Sequence, residues 1–383
     1  MPSLPKKKFE KVADLLDEID CEAWIVMNGE HFQDPLAENL GSKGRTALVF
    51  ERNGKRTAIT AKFHVPPIEA TGIYTEVRGT DLGIVPEVGK IVKKFDGKKI
   101  ALNISTKHEL AGGLSHPAYE VLRKLLPNST FVPSDSIVIY LRSVLIQEEI
   151  EKLIQAVVIS EEIMKEARDD LQVGTSRVEL FNKVQIRFAK KGVGYGWADD
   201  ENPLMVIGPR EMKDTFLDAM IEAGDIVMFD LGADYQGYVA DIGNTYFVPG
   251  GEKKKPTQEM ERMFRTVREA VDAGKEKLRA GVLGVEVDTA VRSVIKKAGY
   301  TEYDYASGHV FSHVAHEIGP LLAPDWPAYS VRAKMPLVEN MAMAIEPSVF
   351  VPKIGTVFIE ENFLITSSGY KDISSRQEEL WIA

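Results

Sequence analysis

Cysteine is almost absent from this chain. Cys21 is the single one in 383 residues, so no intramolecular disulfide can form, and a free thiol of this kind is usually an ordinary buried hydrophobe. No apolar run reaches the length of a membrane helix, and the N-terminal MPSLPKKKFEKVADLLDEID places no apolar stretch behind its charges. Membrane-spanning and secretory readings therefore drop out, and a cytoplasmic location is the expectation. Positive charge is outnumbered, with 47 Lys and Arg against 57 Asp and Glu for a net charge of -10. That excludes a general nucleic-acid surface, whose affinity rests on neutralising phosphates. The basic runs Lys6 to Lys8 and Lys253 to Lys255 read as solvated surface. A Walker-type phosphate loop, a His-Glu-x-x-His pair and any Ser/His/Asp or Cys/His arrangement are also lacking.

What is present is an ordinary globular composition, 44% hydrophobic and 27% charged, on a chain long enough for two cores. Helical spacing from Phe9 to Ile19 precedes AWIVM at 23–27, a buried strand. RTALVFE, KRTAITA, YTEVR and KKIALNI then read as short strands, with helical stretches near 84–95 and 116–126. These elements predict a mixed α/β domain over residues 1–142. Residues 146–171 repeat apolar positions at helical spacing, giving a long amphipathic helix with a solvated Glu/Lys face. Ser176 and Glu179 form a capping-box pattern for a second helix over 178–191. The second domain is expected over 143–383.

The chemistry concentrates in that second domain. Two β-rich runs in IVMFDLGADYQGYVADIGNTYFV flank a Gly/Tyr turn, and each carries one aspartate, Asp230 and Asp241. In MAMAIEPSVFVPKIGTVFIEENFLIT, Glu346 and Glu360 take matching places. With His309 they make five oxygen and nitrogen donors at ends of apolar strands, costly to desolvate unless something positive lies between them. A pair of divalent cations is the simplest candidate. Such a pair lowers the pKa of a shared water, presents it as hydroxide to a carbonyl and offsets charge on the oxyanion. Mixed carboxylate and imidazole ligation suits Mn, Co, Zn or Fe. His309, His313 and His316 are spaced to face one side of a helix, which leaves an isolated three-His site as the competing arrangement. Asp214, Asp225, Asp234, Glu339 and Glu361 read as turn or surface residues.

The stretches GDIVMFDLGADYQGYVADIGNTY, GHVFSHVAHEIGP, AMAIEPSVF and FIEENFLIT resemble the pita-bread metallopeptidases of peptidase family M24, the group of Xaa-Pro dipeptidases, aminopeptidase P and methionine aminopeptidases. Residues 1–142 resemble the creatinase/prolidase N-terminal domain. The resemblance implies an α+β fold of two domains, the second a pita-bread domain with pseudo-twofold halves around a curved antiparallel sheet. It implies that Asp230 chelates one metal, that Asp241 and Glu360 bridge two, and that His309 and Glu346 complete the other. Glu346 is then the proton shuttle, and His316 contacts substrate and the tetrahedral intermediate. A homodimer is implied as well.

The chain departs from the family at several places. Peptidases of this type carry a further histidine seven or so residues after a Gly-Pro. Here Thr215 stands near that place, and no histidine lies between His116 and His309. The usual GHGxG is Gly308-His309-Val310-Phe311-Ser312, and Gly243 and Asn244 stand where Thr and Arg are frequent. Residues 321–336 form a longer connection bearing Trp326, Tyr329 and Arg332. Thr215, His313 and Arg332 are the candidate substrate-binding residues. His313 would be a pocket wall, and Arg332 a carboxylate anchor or a plain surface arginine. The expected activity is metal-dependent hydrolysis of short peptides at Xaa-Pro bonds. The alternative is a pita-bread protein diverged from peptidase chemistry, either a creatinase-type C–N hydrolase of a small molecule or a non-catalytic peptide-binding module.

Overall fold

The apolar run AWIVMN lies at the middle of a six-stranded mixed sheet. Its strand β1 (Ala23–Asn28) pairs antiparallel with β2 (Thr46–Glu51), and β2 pairs with β3 (Arg56–Ala61) in the same sense. The outer strands β4 (Glu76–Thr80), β5 (Lys99–Leu102) and β6 (Thr130–Pro133) add in parallel, β4 to β3, β5 to β1 and β6 to β5. The structure, a computed structural model, describes residues 3–42 and 44–383, and it divides into two units, Met1–Arg142 and Ser143–Ala383. Strand β6 has no counterpart in the sequence reading, because four residues are too few to display an alternation. The single helix expected from Phe9 to Ile19 is two, α1 (Lys6–Glu10) and α2 (Val12–Glu18), which meet at Lys11.

One face of this sheet buries Ile25, Met27, Val49 and Ile59 against Ile84, Val88 and Ile91 of α3 (Ile84–Val92). On the other, Trp24 stacks on Phe50 at 4.8 Å and Phe50 meets Phe9 at 5.8 Å. Each such side chain contributes about 1.5–3 kcal/mol by leaving water. A buried polar chain secures the loop after β1. Trp24 Nε1 donates to Asn103 Oδ1 and Asn103 Nδ2 to Asp34 Oδ2, both at 2.8 Å, while Asp34 Oδ1 accepts the amide of Leu36 at 2.9 Å.

Burial pushes the Asp34 carboxyl up to about 6 even though these donors pull it down. The folded pKa thus exceeds the unfolded value of about 3.9. The stability that Asp34 contributes is complete below that value and is lost as pH rises through about 6. Relative to Asp34→Asn, the wild-type chain should lose about 2 kcal/mol of unfolding free energy between pH 4 and pH 8. Urea titrations followed by fluorescence at each pH measure this slope, and parallel curves for the two proteins would contradict it.

The second unit begins with the long helix α4 (Gln147–Ala167), followed by α5 (Arg177–Lys191). Ser176 caps α5 by accepting the amide of Glu179 at 3.1 Å, and Gly192 ends it in the left-handed conformation. The apolar stripe of α4, including Ala156, Val157, Ile163 and Met164, packs on Val227, Phe229, Ile242 and Tyr246. Those residues belong to an antiparallel group of β7 (Leu204–Ile207), β8 (Ile226–Leu231) and β9 (Ile242–Phe247).

A second pair of helices, α6 (Gln258–Lys275) and α7 (Gly284–Lys297), leads to the other half of the unit. There β10 (Gly308–Phe311) pairs antiparallel with β11 (Ala342–Ile345). A tight hairpin of β12 (Ser348–Val351) and β13 (Gly355–Phe358) follows, and β14 (Glu361–Ile365) returns antiparallel to β11. The halves meet where Gly243 and Glu360 exchange two backbone hydrogen bonds of 3.2 and 2.9 Å. Gly243 permits the approach, since a Cβ there would stand 2.0 Å from Phe358 Cε1 and 3.1 Å from Glu360 Cβ. The fold is the α+β arrangement that the sequence implies, with a pita-bread second unit whose halves join at the carboxylate-bearing strand ends.

Candidate metal centre

Strand register decides which side chains meet at this junction. Asp230 is the penultimate residue of β8, directly opposite Gly243, Asp241 immediately precedes β9, and Glu346 follows the last residue of β11. Glu360 lies between β13 and β14, and His309 is the second residue of β10. His309 Nε2 stands 3.7 Å from Asp241 Oδ2, 3.6 Å from Glu346 Oε1 and 3.8 Å from Glu360 Oε1. Donor atoms of Asp241, His309 and Glu360 all lie within 4.8 Å of one another. Asp230 stands close enough to Asp241 for the two carboxyls to shift each other's ionisation, and it completes the group. Strand ends supply these positions because the backbone there is already fixed by the ladder while the side chains project past it.

The electrostatics are those of a site built around positive charge. Burial, followed by repulsion from Asp230 and Glu346, holds the Asp241 carboxyl well above its usual range. Burial and the other three carboxylates do the same to Glu360. Burial and Asp230 raise Glu346, and burial lifts Asp230 to about 7. Burial, with His316 next, keeps the His309 imidazole well below its ordinary value and therefore neutral, as a metal ligand must be. Asp230 Oδ1 and Glu360 Oε1 are buried acceptors that receive no hydrogen bond. Four carboxylates and a neutral imidazole with orphaned oxygens fit one or more divalent cations, which would supply the missing positive charge.

Metal binding should accordingly stabilise the fold. A ligand present at about a thousand times its Kd contributes about 4 kcal/mol, or about 8–16 °C in a unit of this size. Scanning fluorimetry of chelator-treated protein, then of the same protein with Mn restored, measures the shift. Coincident melting curves would contradict it.

The three histidines do not share a helix face. His309 lies in strand β10, and residues 312–320 follow as bends and turns rather than helix. Val310 and Phe311 favour extended backbone and pair with Met343 and Ala342, so tertiary pairing overrides the helical spacing. His316 nonetheless returns to His309, with ring centroids 4.5 Å apart and planes nearly perpendicular. Burial and Arg332 keep His316 below the usual imidazole value.

His313 turns elsewhere. Its Nδ1 lies 2.8 Å from Gly237 O, its ring packs on Tyr238 at 4.6 Å, and Nε2 stands 3.8 Å from Glu149 Oε1. Arg332 is half-buried rather than on the surface, its Nε donating to Gly319 O at 2.8 Å and its Nη2 to Glu317 O at 2.6 Å. Thr215 is buried. Its hydroxyl donates to Met205 O at 3.1 Å and accepts the Met205 amide at 3.0 Å.

Several supporting residues escaped the sequence reading. Glu361 is a buried partner of Arg268 and not a surface residue. Asn362 Nδ2 donates to the backbone carbonyl of Asp241 at 2.5 Å. Glu149, assigned to a solvated face, is fully buried, where it receives the Ile146 amide and the Tyr238 hydroxyl. A glutamate at the third position of the helix, from where its carboxylate reaches back to the amide of Ile146, was the available signal.

Residues 151–367, which contain all five donors, match the model of metallopeptidase family M24. The chain belongs to that family and is a metallopeptidase. An Xaa-Pro dipeptidase of Pyrococcus furiosus is 29% identical over 291 residues, 75% of this chain and 79% of the relative. An uncharacterized peptidase of Bacillus subtilis, YqhT, is 24% identical over 98% of this chain and 99% of its own length. Among solved structures, an Xaa-Pro dipeptidase from Bacillus anthracis superposes with a TM-score of 0.78 at 25% identity, covering 98% of this chain and 99% of that one. No helix of the described residues is long and apolar enough to cross a membrane.

Proposed function

We propose that this metallopeptidase holds two divalent cations through Asp230, Asp241, His309, Glu346 and Glu360 and cleaves short peptides at Xaa-Pro bonds. The unit from Ser143 carries the chemistry, and residues 1–142 are its creatinase/prolidase-type N-terminal domain. The observation that carries this reading is the convergence on His309 Nε2 of three carboxylates from three separate strand ends, each within 3.8 Å. The Xaa-Pro preference takes its support from the dipeptidase names of the relatives in Pyrococcus furiosus and Bacillus anthracis.

When bound, such a cation pair acidifies water and polarises the scissile carbonyl. Asp241 and Glu360, nearly fully buried, fix the spacing of the site and keep bulk water from its floor. Glu346, the more open of the carboxylates that face His309, with a side chain 16% exposed, takes the proton of the attacking water and delivers it to the leaving nitrogen. His316, kept neutral, donates a hydrogen bond to the carbonyl oxygen as charge grows on it. The donor set accommodates Mn, Co, Zn or Fe.

One observation favours the second reading, a creatinase-type hydrolase of a small nitrogenous substrate. Thr215, near the place of the family's upstream histidine, has its hydroxyl committed to Met205 on both sides and offers a substrate nothing. Hydrolysis of Xaa-Pro dipeptides, Xaa-Pro-Yaa tripeptides and non-proline controls by metal-stripped protein, resupplied with each metal in turn, separates the two. Metal-restored cleavage confined to Xaa-Pro bonds supports the peptidase, with peptide length distinguishing dipeptidase from aminopeptidase. Metal binding with no cleavage of any peptide transfers the assignment to the second reading.

A further inference from the structure

Glu346 carries the proton in the proposed reaction, yet it is less enclosed than its neighbours, its side chain 16% exposed against 5% for Asp241 and 1% for Glu360. It also follows the last paired residue of β11, beyond the ladder's own restraint. Its direction must therefore be set from elsewhere. The Glu346 amide donates to Ser307 O at 2.9 Å. Two residues on, Ser348 Oγ accepts the hydroxyl of Tyr305 at 2.5 Å. The segment 305–307 thus holds the chain on both sides of Glu346.

That segment is gripped in turn by a buried ion pair on one face of α7. Asp288 and Arg292 stand one helical turn apart, 1% and 6% exposed. Arg292 Nε reaches both Asp288 oxygens at 2.9 and 3.0 Å. Its Nη1 donates to Tyr303 O at 2.6 Å and its Nη2 to Tyr305 O. The guanidinium lies 4.3 Å from the centroid of Tyr303 and 5.2 Å from that of Trp326. Asp288 Oδ1 receives the hydroxyl of Ser307 at 2.6 Å. Breaking a buried pair is costly, but its presence is poor evidence of net stabilisation, because desolvation offsets the attraction. A planar guanidinium with an acceptor at each of its three nitrogens does fix geometry.

We infer that Asp288 and Arg292 are positioning residues, which set the segment 303–307 and through Ser307 aim Glu346 into the site. This rests on the reading of Glu346 as proton carrier. The path is continuous in hydrogen bonds, from Arg292 to Asp288, to the Ser307 hydroxyl, and from the Ser307 carbonyl to the Glu346 amide. No atom of Asp288 or Arg292 needs to touch substrate. A carboxylate misdirected by a fraction of an ångström holds metal less tightly and, even with the metal saturating, transfers protons poorly.

The experiment compares Asp288→Ala, Asp288→Asn and Ser307→Ala with the wild-type holoenzyme at saturating Mn. Expected for the two alanine variants is a kcat lower by about ten- to a hundredfold with KM within about threefold, the signature of an interaction that matters after binding. Asp288→Asn, which keeps an acceptor for Ser307 and Arg292, recovers most of the loss. Calorimetric titration of the stripped proteins with Mn should show affinity weakened by about tenfold in the alanine variants. Folded Ser307→Ala with wild-type kcat and Mn affinity would overturn the inference, as would equal losses in Asp288→Asn and Asp288→Ala. Ser307→Ala keeps the question open to test even where Asp288→Ala does not fold. If the wild-type protein cleaves no peptide, the proposed reaction fails, and Mn affinity alone decides the clamp: weakening supports it and equality overturns it.

Discussion

Asp241→Ala and Glu360→Ala each lose at least about a thousandfold in peptide hydrolysis, about 4 kcal/mol of transition-state stabilisation, while remaining folded. Both side chains are almost wholly buried at the junction of the two half-sheets, and each faces His309 Nε2 with a donor oxygen within 3.8 Å. Removing either takes away a ligand that the account shares between two cations, so metal content falls along with rate. The same substitution relieves repulsion within the stripped site, where burial first and then the neighbouring carboxylates hold Asp241, Glu346 and Glu360 above their usual range. The metal-free variants should therefore melt no lower than the metal-free wild type. Peptide assays, elemental analysis and melting curves check the three parts. Full activity in both variants would remove the two-metal mechanism.

Glu361→Ala should lower stability by about 3–5 kcal/mol, or about 6–20 °C, without touching a metal ligand. Glu361 Oε2 accepts Arg268 Nη2 at 2.9 Å, Oε1 accepts Nη1, and Oε1 also receives the Gln377 amide at 3.1 Å. Removing the carboxylate leaves a guanidinium that is 5% exposed with only Asp272, 3.3 Å away and itself partly solvated, to answer it. The paired replacement Arg268→Met with Glu361→Leu should recover most of the loss, because apolar side chains of similar volume do not have to be desolvated. Thermal melts of the two single variants and the double one measure the coupling. A loss under about 1 kcal/mol in Glu361→Ala would mean that the pair behaves as an exposed one.

These two residues also mark the boundary of what the sequence discloses. Asp230 and Asp241 were legible because two β-rich runs around a Gly/Tyr turn can form only a hairpin-like pairing, and carboxylates at its strand ends need an explanation of their own. Glu360 and Glu346 were legible for the same reason. Glu361 was not, since adjacent strand residues point to opposite faces and its partner Arg268 lies 93 residues earlier. The His309, His313, His316 spacing mimics a helix face, but the strand pairing of Val310 with Met343 decides the backbone, and no local periodicity shows that partner. Thr215 and Arg332 could be placed only by their hydrogen bonds to Met205, Glu317 and Gly319, contacts that follow from packing and not from pattern. The first unit and the helices that open the second were legible in the elements and the pita-bread arrangement only through the family resemblance; the division of labour among the polar residues beside the site required the tertiary structure.

The most direct test of the account is anomalous diffraction from crystals soaked in Mn, collected at the Mn edge. The account predicts two peaks in each chain, both contacting Asp241 and Glu360, one also held by Asp230 and the other by His309 and Glu346. A single peak at full occupancy, or peaks away from these five residues, would contradict it.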